Sequence, residues 1–409
     1  MFFLLVFAWF SPPTPIESRM VTVSPKCVAW SFLAQITFGI VNFLISYTNV
    51  PGVDPWAVIG WIWLTSGLIG VFVGIYFWWN LGAMFFTDEQ MKAAETYKQL
   101  DDQLLPQKLP PSRLTLSAKV LTIIGGMCVG WSQLMMKWAF ATDPKSTGPL
   151  TAVISSDIIV VGVFCHFIYN ERLSAMQVFA ICIVLSGLVV MAAFDGGSSG
   201  KLMGFVYAIL GMLTFAASLL CIRQSCRDGM AAWSGFIGRM GVMFFMGLIA
   251  MLYTVFTHSF FPEDWSLWPQ MYIWPQVAGI SQAVGVLALN YALMYPSTGP
   301  VNVIVASNSI IVLALNYFLL GLIPTTSKLV GMCVVICGVS LIILWQPKKA
   351  QEEEETYLSR RDEFIKRSIM RTASSGGSLK ARMSKVFPGE KSPLPPTARS
   401  GIAGAFAVV

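Results

Sequence analysis

The chain has 409 residues, of which 55% are hydrophobic and only 12% are charged. Soluble domains contain about 25% charged residues, so this composition excludes a chain made of one or two soluble domains. The net charge of +6 does not indicate nucleic-acid binding, because most of the positive charge lies in the C-terminal tail and in the loops between apolar segments.

Ten apolar segments are each long enough to cross the roughly 30 Å of hydrocarbon in a bilayer as a helix. Lipid offers no hydrogen bonds to the backbone, so each segment is predicted to be an α-helix. The segments are residues 25–48, 56–80, 117–141, 148–169, 174–194, 202–222, 231–257, 272–295, 299–320 and 326–345. The sequence therefore predicts an all-α membrane protein with ten transmembrane helices.

Three segments outside these helices are longer than the other connecting loops. Residues 1–24 form an N-terminal extension whose apolar opening run is too short to span a membrane and lacks the basic residues of a signal peptide, so Met20 is an alternative start. Residues 87–113 form a polar cytoplasmic loop of mixed charge. Residues 346–409 contain too few apolar residues to fold alone and are predicted to be a disordered tail. Its basic residues could contact anionic lipid, and its serines could be phosphorylated by a kinase.

Lysine and arginine predict the orientation, because cytoplasmic loops carry the excess of positive charge. With the first residues in the cytoplasm, that side holds Arg19, Lys26, Lys92, Lys98, Lys108, Arg113, Lys119, Arg172, Arg223 and Arg227, and the other side only Lys145, Lys201 and Lys328. Both termini are therefore predicted to be cytoplasmic. The sequence leaves open whether the membrane is the plasma membrane or an internal one.

The second half of the membrane part repeats the first. A Ser-Thr-Gly-Pro sequence at residues 146–149 recurs 151 positions later, at residues 297–300. The start of each half aligns at a larger offset, 177, because the first half carries the extra polar loop. The sequence predicts two five-helix repeats, residues 25–194 and 202–345, and the odd number of helices inverts the second. A duplicated membrane unit is typical of secondary transporters, whose substrate site lies between the copies.

Several short motifs accompany the two repeats. They are Gly148-Pro149-Leu150, Asn170-Glu171-Arg172-Leu173, Gln177 and Gly187 in the first, and Gly299-Pro300-Val301, Gly331 and Gly338 in the second. With these motifs and Arg239, the chain resembles the drug/metabolite transporter superfamily and its EamA-type repeat over residues 25–345. The resemblance implies a ten-helix transporter. The second repeat has Leu322 in place of Glu171, so that carboxylate is not used symmetrically.

Three charged residues lie inside predicted helices, where a central charge costs about 2.5–3.5 kcal/mol on insertion scales. Asp157 is near mid-membrane and could bind a proton or a substrate cation, or form a structural ion pair with Lys137. Lys137 could bind substrate or extend its amine to the outer surface. Arg239 could hold an anionic substrate group or bind the carbonyls of neighbouring helices.

The internal alignment pairs Lys137 with Asn290 and Asp157 with Asn308. Polar residues at equivalent positions of both repeats fit a central solute site better than isolated helix contacts do. Gln133 and Trp131 are expected to line the same site, and Asp157 is the predicted proton-coupling group. Further polar candidates are Gln35, Asn42, Gln282, Asn302 and Asn316.

No catalytic residue, metal site or cofactor is predicted, because the chain lacks the Walker, HExxH and GxSxG motifs and has only two histidines. The function that fits best is a secondary transporter of small polar or anionic metabolites. An organophosphate or nucleotide-sugar antiporter of an internal membrane and a non-transporting scaffold acting through the tail are alternatives. The expected partners are a small-molecule substrate and the bilayer, with a homodimer as a further candidate.

Overall fold

The computed structural model of the protein describes residues 25–88, 90–91, 114–142, 147–169, 175–193, 202–257, 260–261, 264–295, 298–321 and 326–344. The predicted extension 1–24, nearly all of the loop 87–113 and the tail 346–409 lie outside these residues. Glu171, Leu322, Lys145 and Lys201 lie outside them as well.

The described residues are helical and contain no β-strand. In chain order the α-helices are α1 (Pro25–Tyr47), α2 (Pro55–Leu81), α3 (Leu116–Thr142), α4 (Thr147–Ser155), α5 (Asp157–Tyr169), α6 (Ala175–Ala193), α7 (Leu202–Arg227), α8 (Ala232–Phe256), α9 (Trp274–Leu293), α10 (Thr298–Ala306), α11 (Ser309–Leu320) and α12 (Thr326–Leu344). Within these residues, seven segments are long and apolar enough to cross a membrane. The prediction of an all-α membrane protein is therefore confirmed.

Local sequence signals set the ends of α2. Asp54 accepts a hydrogen bond from the Trp56 backbone N–H at 3.0 Å, and Pro55 occupies the first turn, where a missing N–H costs nothing. At the other end Gly82 takes a φ of 73° and donates its N–H to Trp78 O at 2.9 Å. These caps explain why α2 matches the predicted span of residues 56–80 to within one residue at each end.

Two of the predicted spans contain a short break in the α-helical hydrogen-bond pattern, where the backbone N–H groups bond to the carbonyl three residues earlier, as Asn308 N does to Val305 O at 3.1 Å. The chain stays in helical conformation through the break, with Asn308 at φ −58° and ψ −19°, and Pro300–Leu320 remains one membrane-length segment. The span 148–169 consists of α4 and α5, separated at Ser156, and the span 299–320 consists of α10 and α11, separated at Ser307 and Asn308. At both breaks the serine Oγ donates to the carbonyl three residues earlier: Ser156 to Val153 O and Ser307 to Ile304 O, each at 2.6 Å. The same bond occurs at Ser66 and Ser186 inside unbroken helices, so serine is compatible with a break and does not determine one.

Glycines allow neighbouring helices to approach closely. In α2 and α8, which pack along each other, a methyl group added to Gly247 would lie 2.6 Å from Leu64 N. In α6 and α12, a methyl group on Gly187 would lie 2.7 Å from Val335 Cγ2. Helices in a membrane gain stability from such close backbone packing, because no hydrophobic effect drives them together in lipid.

Two glycines of α8 provide a matched test of this packing. Gly247→Ala should lower the melting temperature in detergent, because the added methyl group meets the backbone of α2, and overpacking costs about 1–3 kcal/mol. Gly241→Ala should leave it unchanged or raise it, because no atom lies within 4 Å of that position and alanine is the better helix former by about 1 kcal/mol. Equal melting temperatures for the two variants would contradict the packing described here.

Candidate functional site

The break between α4 and α5 holds a buried carboxylate. Asp157 is the first residue of α5 and is 1% exposed. Its Oδ2 accepts a hydrogen bond at 3.1 Å from Asn302 Nδ2 of α10, a side chain that is 2% exposed. The structure thus pairs Asp157 with an amide and not with Lys137, so the ion pair considered from the sequence is absent.

The break between α10 and α11 gathers buried oxygen atoms. Gln35 of α1 donates from Nε2 to Ser307 Oγ at 3.0 Å and to Ser307 O at 3.3 Å. Asn308 Oδ1 and Ser309 Oγ at this break are buried without a hydrogen-bond partner, as is Asn302 Oδ1 farther back in α10. A buried polar atom without a partner costs about 1–3 kcal/mol, which makes these oxygens candidate binding groups.

Lys137 is fully buried near the end of α3. Its Nζ donates to Ile45 O at 3.1 Å and to Thr48 Oγ1 at 3.2 Å, at the C-terminal end of α1. Carbonyl groups at a helix C-terminus carry partial negative charge and stabilise a cation there. Lys137 therefore neither extends to a surface nor contacts Asp157.

Arg239 is buried in α8 and contacts two other helices. Its guanidinium donates to Asn290 Oδ1 of α9 at 2.9 Å and to Ser218 Oγ of α7 at 3.2 Å, while its Nε has no partner. Asn290 also donates to Ala232 O at 3.2 Å. A cavity of about 10 Å³, close to the minimum for one water molecule, is lined by Arg239, Asn290, Thr122 and Ser225 among others.

Gln133 lies in a polar chain that joins three helices. Its Oε1 accepts from Trp63 Nε1 at 2.9 Å, and its Nε2 donates to Gln282 Oε1 at 2.6 Å. Trp131, predicted to line the same site, is 43% exposed and does not join these buried groups. Residues two positions apart on a helix point to nearly opposite faces, which separates Trp131 from Gln133.

The structure thus distributes the predicted residues over four sets of hydrogen bonds. Asp157 and Asn308 lie at the two helix breaks, Arg239 binds Asn290, and Lys137 and Gln133 each have separate partners. Thr48, Trp63 and Ser218 complete these sets and were not among the predicted site residues. A single threonine, tryptophan or serine in an apolar helix gives no signal in the sequence, because such residues usually serve packing. Among the described residues, no three His, Cys, Asp or Glu side chains group as metal ligands.

Comparison with known proteins relates the second half of the membrane part to a family. Residues 202–344 match the family model described as the EamA-like transporter family. No curated protein matches the chain. Among 28 matching chains of solved structures, one described only as the crystal structure of a protein aligns over 78% of this chain and 96% of its own, with a TM-score of 0.53 and 16% identity, and so shares the fold alone. With the apolar helices, these findings identify a multi-pass membrane protein of the transporter type. The matched residues run from α7 to α12, and the match is to the family within the drug/metabolite transporter superfamily that the resemblance named.

Proposed function

We propose that the protein is a secondary transporter that moves small anionic metabolites by alternating access between two inverted five-helix repeats, residues 25–194 and 202–345. The observation that carries this proposal is the pair of helix breaks, with Asp157 at one and Asn308 at the other. Each break is a tightened turn inside a helix, and a mid-helix stretch of this kind often marks a functional hinge.

The contacts between α2 and α8 support the repeat. A methyl group on Gly60 would lie 3.0 Å from Met251 Cε, and one on Gly74 would lie 3.1 Å from Ile237 Cγ2. Ile237 is 177 positions after Gly60, and Met251 is 177 positions after Gly74. If each residue of one contact is replaced by its equivalent in the other repeat, the result is the other contact. A two-fold axis between the repeats would produce this relation.

The contacts between α6 and α12 support the repeat at the second offset of the sequence alignment, 151 positions. Gly187 approaches Val335 at 2.7 Å, and Gly338 approaches Val184 at 2.6 Å, with a methyl group added to each glycine. Both pairs of equivalent positions differ by 151 in the sequence. Two independent helix pairs thus agree with the alignment that was made from the sequence.

The repeats have diverged in their cations, which favours one asymmetric site. Lys137 binds Ile45 and Thr48, whose equivalents 177 positions later, Ile222 and Ser225, line the small cavity beside Asn290. Asn290 is shorter than its equivalent Lys137, which accounts for the small cavity. Arg239 supplies the cation on that side. The proposed transporter would therefore present one buried cation toward each end of the helix bundle, an arrangement suited to an anionic substrate.

Asp157 is the proposed proton-coupling group, and Asp157→Asn tests that role. The variant should stay folded, because an asparagine oxygen can still accept from Asn302 Nδ2. Uptake by proteoliposomes should lose its dependence on pH, because the site can no longer gain or release a proton.

Asp264→Asn is the matched control, because Asp264 is an exposed carboxylate that accepts from the Ser266 N–H outside the α-helices. The control should keep the pH profile of the wild type. If Asp157→Asn instead lowered the melting temperature and left the pH profile unchanged, the carboxylate would be structural and the proposed role would be wrong.

Arg239→Gln tests the proposed anion specificity. A panel of organic phosphates, carboxylates and neutral sugars is screened by thermal unfolding, since a ligand of the folded state raises the melting temperature. The anion that stabilises the wild type should bind the variant about tenfold or more weakly, because a hydrogen bond to a charged group contributes about 1.5–3 kcal/mol.

Arg223→Gln serves as the control for loss of a buried arginine. Its guanidinium donates to Leu293 O at 2.8 Å and Tyr295 O at 2.9 Å, so the substitution should reduce stability without changing anion affinity. Stabilisation by neutral sugars alone, or equal anion affinity in the wild type and Arg239→Gln, would refute the anionic substrate class.

A further inference from the structure

Three partly buried aromatic side chains meet at the end of the bundle where α1 and α8 begin and α9 ends, which we call the first face. Trp30 of α1 stacks on Tyr291 of α9, with ring centroids 4.7 Å apart and an interplanar angle of 15°. Trp233 of α8 meets the same tyrosine edge-on, at 6.5 Å and 86°. We call Trp30, Tyr291 and Trp233 the first-face triad.

A second set lies where α2 and α7 begin and α3 ends, the second face. Trp138 of α3 contacts Tyr207 of α7 at 5.5 Å, with an interplanar angle of 53°. Trp56 of α2 meets Trp138 edge-on, at 5.6 Å and 79°. Trp138, Tyr207 and Trp56 form the second-face triad, whose members are also partly buried.

The two triads correspond residue by residue. Tyr207 is 177 positions after Trp30, Trp233 is 177 positions after Trp56, and Tyr291 is 153 positions after Trp138. The same offsets, 177 and 153 positions, align the helices of the first half with those of the second half. Both ring contacts of one triad therefore have a counterpart in the other, with Tyr291 and Trp138 at the two centres.

Membrane proteins commonly carry tryptophan and tyrosine at the lipid interface, and single residues there need no partner. The triads differ from such a belt because their rings contact one another across helices of both proposed repeats. The first-face triad joins α1 of the first repeat to α8 and α9 of the second, and the second-face triad joins α7 to α2 and α3. Any rocking of one repeat against the other must change these contacts.

We propose that the two triads are paired gates, one at each face, which open in turn and control access to the helix breaks between them. This inference rests on the proposed transport function. Aromatic contacts are directional but individually weak, so thermal motion can separate one triad while the other stays closed. The central ring of each gate directly follows a buried polar residue of the candidate site, Asn290 before Tyr291 and Lys137 before Trp138, which couples the gates to that site.

The test measures access to the α10–α11 break from each side of the membrane. Full-length protein with its eight native cysteines replaced carries Asn308→Cys as the only thiol, in sealed vesicles of known orientation. A membrane-impermeant methanethiosulfonate reagent is added from one side at a time. Tyr291→Ala should raise the labelling rate from the first face by roughly three- to tenfold and lower it from the second, because the first gate loses its central ring. Trp138→Ala should do the reverse.

Trp131→Ala is the control, since Trp131 lies on the same helix as Trp138 but is exposed. It should leave both labelling rates unchanged. If the thiol introduced at the break reacts but Tyr291→Ala and Trp138→Ala behave like the control, the gate proposal fails and the transporter proposal stands. If that thiol reacts from neither side in any variant, the alternating-access proposal itself fails.

Discussion

Every polar group inside a bilayer must find its hydrogen bonds within the protein, and this requirement shapes the described part of the chain. The helices satisfy it along most of their length, because their backbone bonds close within the segment. At the two breaks the backbone bonds also close within the segment, but to the carbonyl three residues earlier. At each break a serine bonds to the preceding turn, and side chains from other helices, such as Gln35 and Asn302, supply further partners. Two oxygens without a partner, Asn308 Oδ1 and Ser309 Oγ, lie at the α10–α11 break.

Close glycine packing joins helices of the first half of the chain to helices of the second half. In the pairs α2–α8 and α6–α12 the helices approach closely at glycine. A methyl group added to such a glycine would lie only 2.6–2.7 Å from a backbone or side-chain atom of the facing helix. Arg239 and Lys137 extend from α8 and α3 to bind neighbouring helices near opposite ends of the bundle.

The sequence predicted the helices better than it predicted the contacts between them. Apolar length and the Asp54, Pro55 and Gly82 caps are local signals, and α2 followed them closely. The breaks escaped prediction because serine is equally compatible with a continuous helix, as Ser66 and Ser186 show. Lys137 was expected to face the same centre as Asp157, yet it binds the end of α1, because nothing local determines which carbonyl a long side chain reaches.

The repeat in the sequence proved more informative about three-dimensional contacts than any single residue. It aligned Gly187 with Gly338, and each of these glycines packs against the helix that carries the other. It also gave the correspondence between the two aromatic triads, which composition alone would assign to an interfacial belt. The polar partners Trp63 and Gln282 of Gln133 have no such signature, because the alignment does not report which side chains of different helices meet.

The central claim is that transport is carried out by the helices and not by the C-terminal tail. Proteoliposomes containing the full chain, a chain ending at residue 345 or no protein can be incubated with a mixture of small anionic metabolites, and their contents compared by mass spectrometry. The account predicts that both proteins accumulate the same compounds above the protein-free level. Accumulation of none of them by the full chain, or its complete loss with the tail, would contradict it.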